Sequence, residues 1–236
     1  MRRLPALVGF VALAAGLFAP STARAQQSLN FHLGGFVPRG EDARDINDVL
    51  VNNLCCLDDP LAFRIKDFAG GSVGLEYVVG VGDFLDAGLG VGYYKRNVPS
   101  VYLDLVNDNG TEIEQNLRLR VAPFAATIRF LPLGHSHGVE PYIGAGIGVF
   151  NWRYSESGDW VDPSDDSIFR QSFVGSGTAT GPIVLGGVRI PAGPMAFGGE
   201  VKWQDAKGDL PADQGFSGSK IDLGGLTYSV VLSVRF

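Results

Sequence analysis

The only three histidines in the chain, His32, His135 and His137, are the first places to look for acid–base or metal chemistry. His135 and His137 could supply two metal ligands, but no third ligand from a carboxylate or cysteine lies near them in sequence. The chain has no G-x-S-x-G motif, and no external cluster of histidine with serine or aspartate is visible. We therefore expect a solvated turn at His135 and His137, no metal or other cofactor, and no enzymatic activity.

Cys55 and Cys56 are the second candidates for chemistry, because they are the only cysteines and are adjacent. Export to an oxidising compartment favours disulfides, yet neighbouring cysteines bridge only through a strained ring. Three alternatives stay open: a disulfide within the pair, a bond to another molecule, or two free thiols.

A cluster of acidic residues could supply the oxygen ligands that calcium prefers. The cluster consists of Glu156, Asp159, Asp162, Asp165 and Asp166. Its spacing lacks the order of an EF-hand loop, so the segment predicts a solvated acidic loop instead.

These side chains must be positioned by a chain in which apolar residues alternate with small or polar residues, with a period of two. In LDAGLGVGYY, from Leu85 to Tyr94, apolar residues occupy one face and mostly glycine the other. A soluble sheet would carry long polar residues on its second face, whereas a small barrel needs glycine in its crowded interior and apolar residues toward lipid. Eight such runs occur, at about 28–40, 67–80, 84–97, 117–131, 139–154, 178–190, 195–207 and 221–236. They predict an all-β fold, an eight-stranded antiparallel up-and-down transmembrane β-barrel.

The N-terminal residues have the features of an export signal. Two arginines precede an apolar stretch from Leu7 to Ala19, and Ala23–Ala25 fits an A-x-A cleavage pattern. We predict a signal peptide at 1–25 and a barrel domain at 26–236. Removing 1–25 makes the net charge of −6 more negative, since this segment contains three arginines and no acid, which argues against nucleic acid as a partner.

The connections between runs alternate in length, as they do in outer-membrane barrels. The short ones are Gly80–Asp83, Pro132–Gly138 and Pro191–Pro194, and the long ones cover about 41–66, 98–116, 155–177 and 208–220. Short turns belong to the periplasmic side, so both termini are expected there and the long connections outside.

The long connections carry structure of their own. Ile46, Val49, Leu50 and Leu54 recur at helical spacing and predict a short helix over the barrel mouth. Asn109-Gly110 predicts a hairpin that projects beyond the membrane. Aromatic residues where strands meet the external loops predict an interfacial belt; they are Trp152, Tyr154, Trp160, Tyr93 and Tyr94.

Alternate residues of a strand lie on the same face, and this parity places a set of charged residues on the inward face of the barrel. His32 also faces the lumen by the same rule. The set is Glu76, Asp86, Arg129, Arg189, Glu200, Lys202 and Arg235. Because an unpaired charge in a poorly hydrated lumen is costly, we expect these residues to form an ion-pair network that fills and rigidifies the barrel.

The export signal, eight alternating runs, long and short loops and a C-terminal aromatic strand, YSVVLSVRF, together resemble the eight-stranded outer-membrane β-barrel superfamily, which includes the OmpA transmembrane domain, OmpX and OmpW. The resemblance implies an outer-membrane location, contact with membrane lipids and lipopolysaccharide, and help from periplasmic chaperones and the barrel-assembly machinery. It also implies that Tyr228 and Phe236 belong to a C-terminal assembly signal.

The resemblance is informative for architecture and less so for function. It implies a non-enzymatic structural or surface-interaction role, with an unknown extracellular ligand and a narrow passage gated by lumenal ion pairs as further features. Two alternatives remain: passage of small or apolar solutes, and modification of envelope lipids. The interior of eight strands is filled by side chains, so an open pore for sugars is excluded.

Overall fold

The structure is a computed structural model that describes residues 26–56, 59–135, 138–162 and 164–236, so the predicted signal peptide lies outside the described residues. Its strands are β1 (Gln27–Pro38), β2 (Leu61–Ala62), β3 (Gly70–Val81), β4 (Leu85–Val106), β5 (Glu112–Phe130), β6 (Glu140–Val161), β7 (Ile168–Ala192), β8 (Met195–Gln204), β9 (Lys207–Asp209), β10 (Lys220–Asp222) and β11 (Gly225–Arg235). The helices are α1 (Val49–Cys55) and the 3-10 turns Glu41–Ala43, Ile65–Phe68 and Ala212–Gln214. No helix in this part of the chain is long and apolar enough to cross a membrane.

Eight of the strands form a closed antiparallel ring, in the order β1, β3, β4, β5, β6, β7, β8 and β11. Each strand pairs with the next one along the chain, and β11 returns to β1, with Ser28 opposite Arg235 and Pro38 opposite Gly225. Closure leaves no unpaired strand edge in the ring. The predicted eight-stranded up-and-down barrel is confirmed.

The two faces of the ring differ as the alternation predicts. Outward side chains such as Leu33, Ile147 and Val230 are apolar and well exposed, which suits contact with lipid. Inward positions are glycine, buried polar groups or buried apolar groups.

Strands β4 to β7 are about twice as long as the other four strands of the ring. They continue beyond the apolar band, which is the belt of outward apolar residues around the barrel. On β6, for example, the outward residues change from Val149 to the polar Asn151 and Arg153. The predicted hairpin at Asn109-Gly110 joins β4 to β5 and is confirmed.

The predicted solvated acidic loop is confirmed only for the turn between β6 and β7, where Asp165 and Asp166 are exposed. It is wrong for Glu156 and Asp159, because β6 and β7 pair through most of the segment 155–177.

The predicted interfacial belt is also largely wrong. Trp152, Tyr154 and Trp160 lie on the inward face of β6 and are buried, as is Tyr94 on β4. The period of two simply continues past the membrane, so these side chains form an apolar interior above it. Only Tyr93 of the five predicted aromatics points outward.

The mouth of the barrel is covered by α1, as predicted, although the helix begins at Val49 rather than at Ile46. Val49 and Leu50 are fully buried, whereas Ile46 is 76% exposed. At the end of the helix, the structure joins Cys55 and Cys56 in a disulfide, one of the three alternatives.

The seam between β1 and β11 provides a test of ring closure. A Cβ atom added at Gly34 would overlap the backbone carbonyl oxygen of Tyr228, whereas at Gly35 the nearest heavy atom would be 3.6 Å away. We expect Gly34→Ala to destabilise the barrel by about 3 kcal/mol or more, and Gly35→Ala to have little effect. Urea unfolding of the refolded proteins measures both, and equal midpoints would contradict this account of the seam.

Candidate functional site

The centre of the lumen is held by one arginine between two glutamates from different strands. Arg129 of β5 donates from Nη2 to Glu76 of β3 at 2.5 Å and to Glu200 of β8 at 2.9 Å. All three side chains are buried, and the Arg129 guanidinium also lies over the ring of Tyr142, 5.1 Å from its centroid. The cluster thus ties together strands on opposite sides of the ring.

Neutral groups complete the hydrogen bonding around the two glutamates. The Thr127 hydroxyl donates to Glu76 and the Tyr142 hydroxyl donates to Glu200, each at 3.2 Å. His32, on β1, lies between the carboxylates, with Nε2 3.4 Å from Glu76 and Nδ1 3.7 Å from Glu200. His32 therefore faces the lumen, in agreement with the parity of β1.

A second charge cluster closes the end of the barrel that carries the short turns. Arg189 donates to Glu140 at 2.6 Å and to Asp86 at 3.2 Å, and Arg235 donates to Glu140 at 2.6 Å. His135 joins it from the turn between β5 and β6, with Nε2 2.8 Å from Asp86. The hydrogen bond to that carboxylate raises the pKa of His135.

His135 was expected to be solvated, and that expectation is wrong because the turn folds back over the lumen. His137 lies outside the described residues, so the prediction of a solvated turn is tested only at His135. Within the described ranges, no group of three histidine, cysteine or acidic side chains is arranged for a metal ion.

Six of the seven charged residues expected on the inward face make ion pairs within the described part of the chain, and Lys202 does not. Two members of these clusters, Glu140 and His135, were not anticipated. Glu140 shares the face of Tyr142 two residues away, so parity at the start of β6 could have revealed it. The role of His135 depends on how a turn folds, which no periodic pattern encodes.

The two clusters leave little space along the barrel. A cavity of about 70 Å³ lies beside Glu76 and Lys202, and a second of about 10 Å³ lies beside Asp86 and Arg189. Because one water needs about 10–15 Å³, these cavities suit a few waters and no sugar-sized solute.

The external mouth is sealed by contacts between α1 and the inner face of the long strands. Asn53 of α1 donates to Glu156 at 2.6 Å, and Tyr154 donates to the same carboxylate oxygen at 2.8 Å. Arg44 and Asp48 form a buried ion pair at 2.8 Å at the start of the helix. Burial raises the pKa of Glu156 from its ordinary 4.5 to about 7.

Comparison with known proteins supports the fold. No protein-family model matches the chain, and no curated protein matches it either. The outer membrane protein OprG from Pseudomonas aeruginosa is similar in structure, with a TM-score of 0.51 and 12% identity over 90% of this chain and 96% of OprG. Neisserial surface protein A aligns with a TM-score of 0.44 and 14% identity, over 90% of this chain and 96% of Neisserial surface protein A. The protein therefore has the fold of an eight-stranded outer-membrane barrel.

The Arg129 cluster predicts a large difference between two lumenal cations. Arg129→Met leaves two buried carboxylates without their cation, so we expect a loss of about 3–5 kcal/mol in the free energy of unfolding. Lys202→Met is the matched control and should change it by less than about 1 kcal/mol, since Lys202 has no ion-pair partner among the described residues. Urea unfolding in lipid vesicles measures both. Equal losses would show that the pairing of Arg129 is unimportant.

Glu156 predicts a pH dependence of stability. Between pH 4.5 and about 7, the folded protein keeps a proton on Glu156 that the unfolded chain has lost. Stability should therefore fall as the pH rises through this window, by up to about 3 kcal/mol.

In Glu156→Gln, which retains an oxygen that accepts from Asn53 and Tyr154, this fall should disappear. Unfolding midpoints at pH 5 and pH 8 test it, with Asp165→Asn as a control at an exposed acid. If Glu156→Gln keeps the full pH dependence of the unaltered protein, the assignment is wrong.

Proposed function

We propose that this protein is a non-enzymatic outer-membrane barrel that acts through its external surface. The observation that carries the proposal is the extension of β4, β5, β6 and β7 beyond the apolar band. The part of β6 from Asn151 to Val161 alone is roughly 35 Å long at about 3.3 Å per residue. A paired sheet of this size needs a buried interior of its own, and Trp152, Tyr154 and Trp160 supply it.

The lumen supports the same proposal, because it is filled where a channel would need to be open. The Arg129 cluster and the Arg189 cluster each bridge several strands, and α1 covers the mouth. We propose that these charges mainly rigidify the barrel. Narrow gated conductance would require both clusters to rearrange.

The external sheet carries a hollow that suits a partner. Its volume is about 730 Å³, and its lining is mostly polar. Glu112, Glu114 and Asp159 contribute acidic groups, against the single cation of Arg170. This balance favours a partner segment with positive charge.

One observation favours the alternative of passage for small apolar solutes. The wall between β3 and β4 is thin, because Gly74, Gly90 and Gly92 face the lumenal cavity without side chains. The lipid-facing Val73 and Val91 also line this cavity. Every residue pair from Ser72 to Val81 is nevertheless in register with β4, so a lateral route would require these strands to separate.

The remaining partners belong to the same proposal. Contact with membrane lipids follows from the fold and the apolar exterior, and lipopolysaccharide is the outer-leaflet lipid that we propose. We also propose that the barrel-assembly machinery and periplasmic chaperones handle the chain. Tyr228 and Phe236, both outward and exposed, would then serve as the assembly signal.

Binding and conductance together test the external role. The variant Glu112→Gln, Glu114→Gln, Asp159→Asn removes three charges from the hollow, and its control Asp162→Asn, Asp165→Asn, Asp166→Asn removes three from the distal turn. Protein in nanodiscs is screened against purified extracellular proteins and glycans. We expect at least one cationic molecule in this screen to bind the unaltered protein. Its affinity should be about tenfold lower for the hollow variant and unchanged for the control.

Planar bilayers provide the second measurement. We expect the unaltered protein to show no single-channel conductance above background. Steady conductance, or a screen in which no binding depends on the hollow, would contradict the proposed function.

A further inference from the structure

A row of three cations crosses the outer face of three neighbouring strands. Lys95 of β4 lies directly opposite Arg120 of β5, and Arg120 lies directly opposite Arg153 of β6. All three are outward and exposed. Opposite residues on neighbouring strands have Cβ atoms about 5 Å apart, and like charges in such positions destabilise a sheet.

The row lacks counter-charges within the protein. Among the described residues, no carboxylate lies within 4.0 Å of the Lys95, Arg120 or Arg153 head groups, whereas Arg39 at the opposite side of the mouth pairs with Asp205 at 2.8 Å and with Asp222 at 3.2 Å. On the far side of the row, Arg153 faces Ser176 of β7. The repulsion is therefore not relieved by neighbouring strands.

The row also has a defined depth in the membrane. The same three strands carry a second row in register at their periplasmic ends, made of Leu85, Phe130 and Ile143, all apolar and exposed. The two rows are ten residues apart on each strand, roughly 33 Å along the strand. At a tilt of about 40° this is roughly 25 Å across the membrane, the usual height of the apolar band.

The cations thus stand at the external edge of the apolar band, at the level of the lipid head groups. Arg118, two residues further out on β5, adds a fourth cation and donates from Nε to Asn97 at 2.9 Å. Arginine binds phosphate through two parallel hydrogen bonds, and lysine binds it as a point charge. The periplasmic row has no charge, so this chemistry is confined to the outer leaflet.

We propose that Lys95, Arg120 and Arg153 form a binding site for the phosphate groups of lipopolysaccharide in the outer leaflet. Bound phosphate supplies the missing negative charge, and it removes the repulsion between the paired cations. The site fixes one sector of the barrel, β4 to β6, against the glycolipid. This inference deepens the proposed contact with lipopolysaccharide and rests on the proposed outer-membrane location. It does not rest on a ligand for the external hollow, so either can fail alone.

Titration of the detergent-solubilised barrel tests the site. Fluorescently labelled protein is titrated with rough lipopolysaccharide, with the same lipid after dephosphorylation, and with phosphatidylglycerol micelles at fixed ionic strength. The variant is Arg120→Gln, Arg153→Gln, and the control with the same change in charge is Arg170→Gln, Lys207→Gln. We expect the row variant to bind lipopolysaccharide at least about tenfold more weakly, with the control unchanged.

The other lipids decide which group is recognised. Dephosphorylated lipid should bind the unaltered protein as weakly as lipopolysaccharide binds the row variant. Equal affinity of the row variant and the control would overturn the site, and so would phosphatidylglycerol binding as tightly as lipopolysaccharide, since that would indicate a response to charge alone.

Unfolding without lipid guards against a folding defect in the row variant. Loss of like-charge repulsion should leave its urea midpoint equal to or higher than that of the unaltered protein. Addition of lipopolysaccharide should raise the midpoints of the unaltered protein and of the control more than that of the row variant. A midpoint that falls in the variant before lipid is added would contradict the proposed repulsion.

Discussion

The narrowness of an eight-stranded ring is the constraint on which the rest of this structure depends. Such a ring encloses only enough space for its own side chains, so each group inside must fit and find a partner. Glycine therefore lines much of the interior, and at Gly34 even a methyl group would meet backbone across the seam. Six of the seven inward charges expected from the sequence are paired within the described part of the chain, and Arg129 and Arg189 each bridge two carboxylates.

The same constraint explains why the fold could be predicted from the sequence. In a ring that is lined with small residues and surrounded by lipid, the alternation is strict, and its parity assigned an inward side to Glu76, Arg129 and Glu200 without any structure. Short turns cannot be confused with long connections, so topology followed as well. The alternation predicts those features that depend only on a residue's position in its own strand, such as the face of the sheet on which it lies.

What periodicity misses depends on contacts between segments distant in the chain. Beyond the membrane the outward residues become polar while the inward ones stay apolar, and this looks like a loop unless the strand partner is known. The sequence therefore predicts Trp152 and Tyr154 at the membrane interface, although they form the interior of the external sheet. His135 and Asn53 reach the lumen and the mouth through a turn and a helix whose directions no alternating pattern specifies.

The barrel treats charge in opposite ways inside and at its outer rim. In the lumen, where water is scarce, an isolated charge is costly, and the arginines are accordingly buried against glutamates. At the rim, Lys95, Arg120 and Arg153 lie opposite one another, and none of them has an acidic ion-pair partner among the described residues. The chain as a whole nevertheless has more acidic than basic residues. A surplus of acid makes unpaired, aligned cations harder to explain as chance. Their alignment is better explained by negative charge outside the protein, at the depth where lipid phosphates lie.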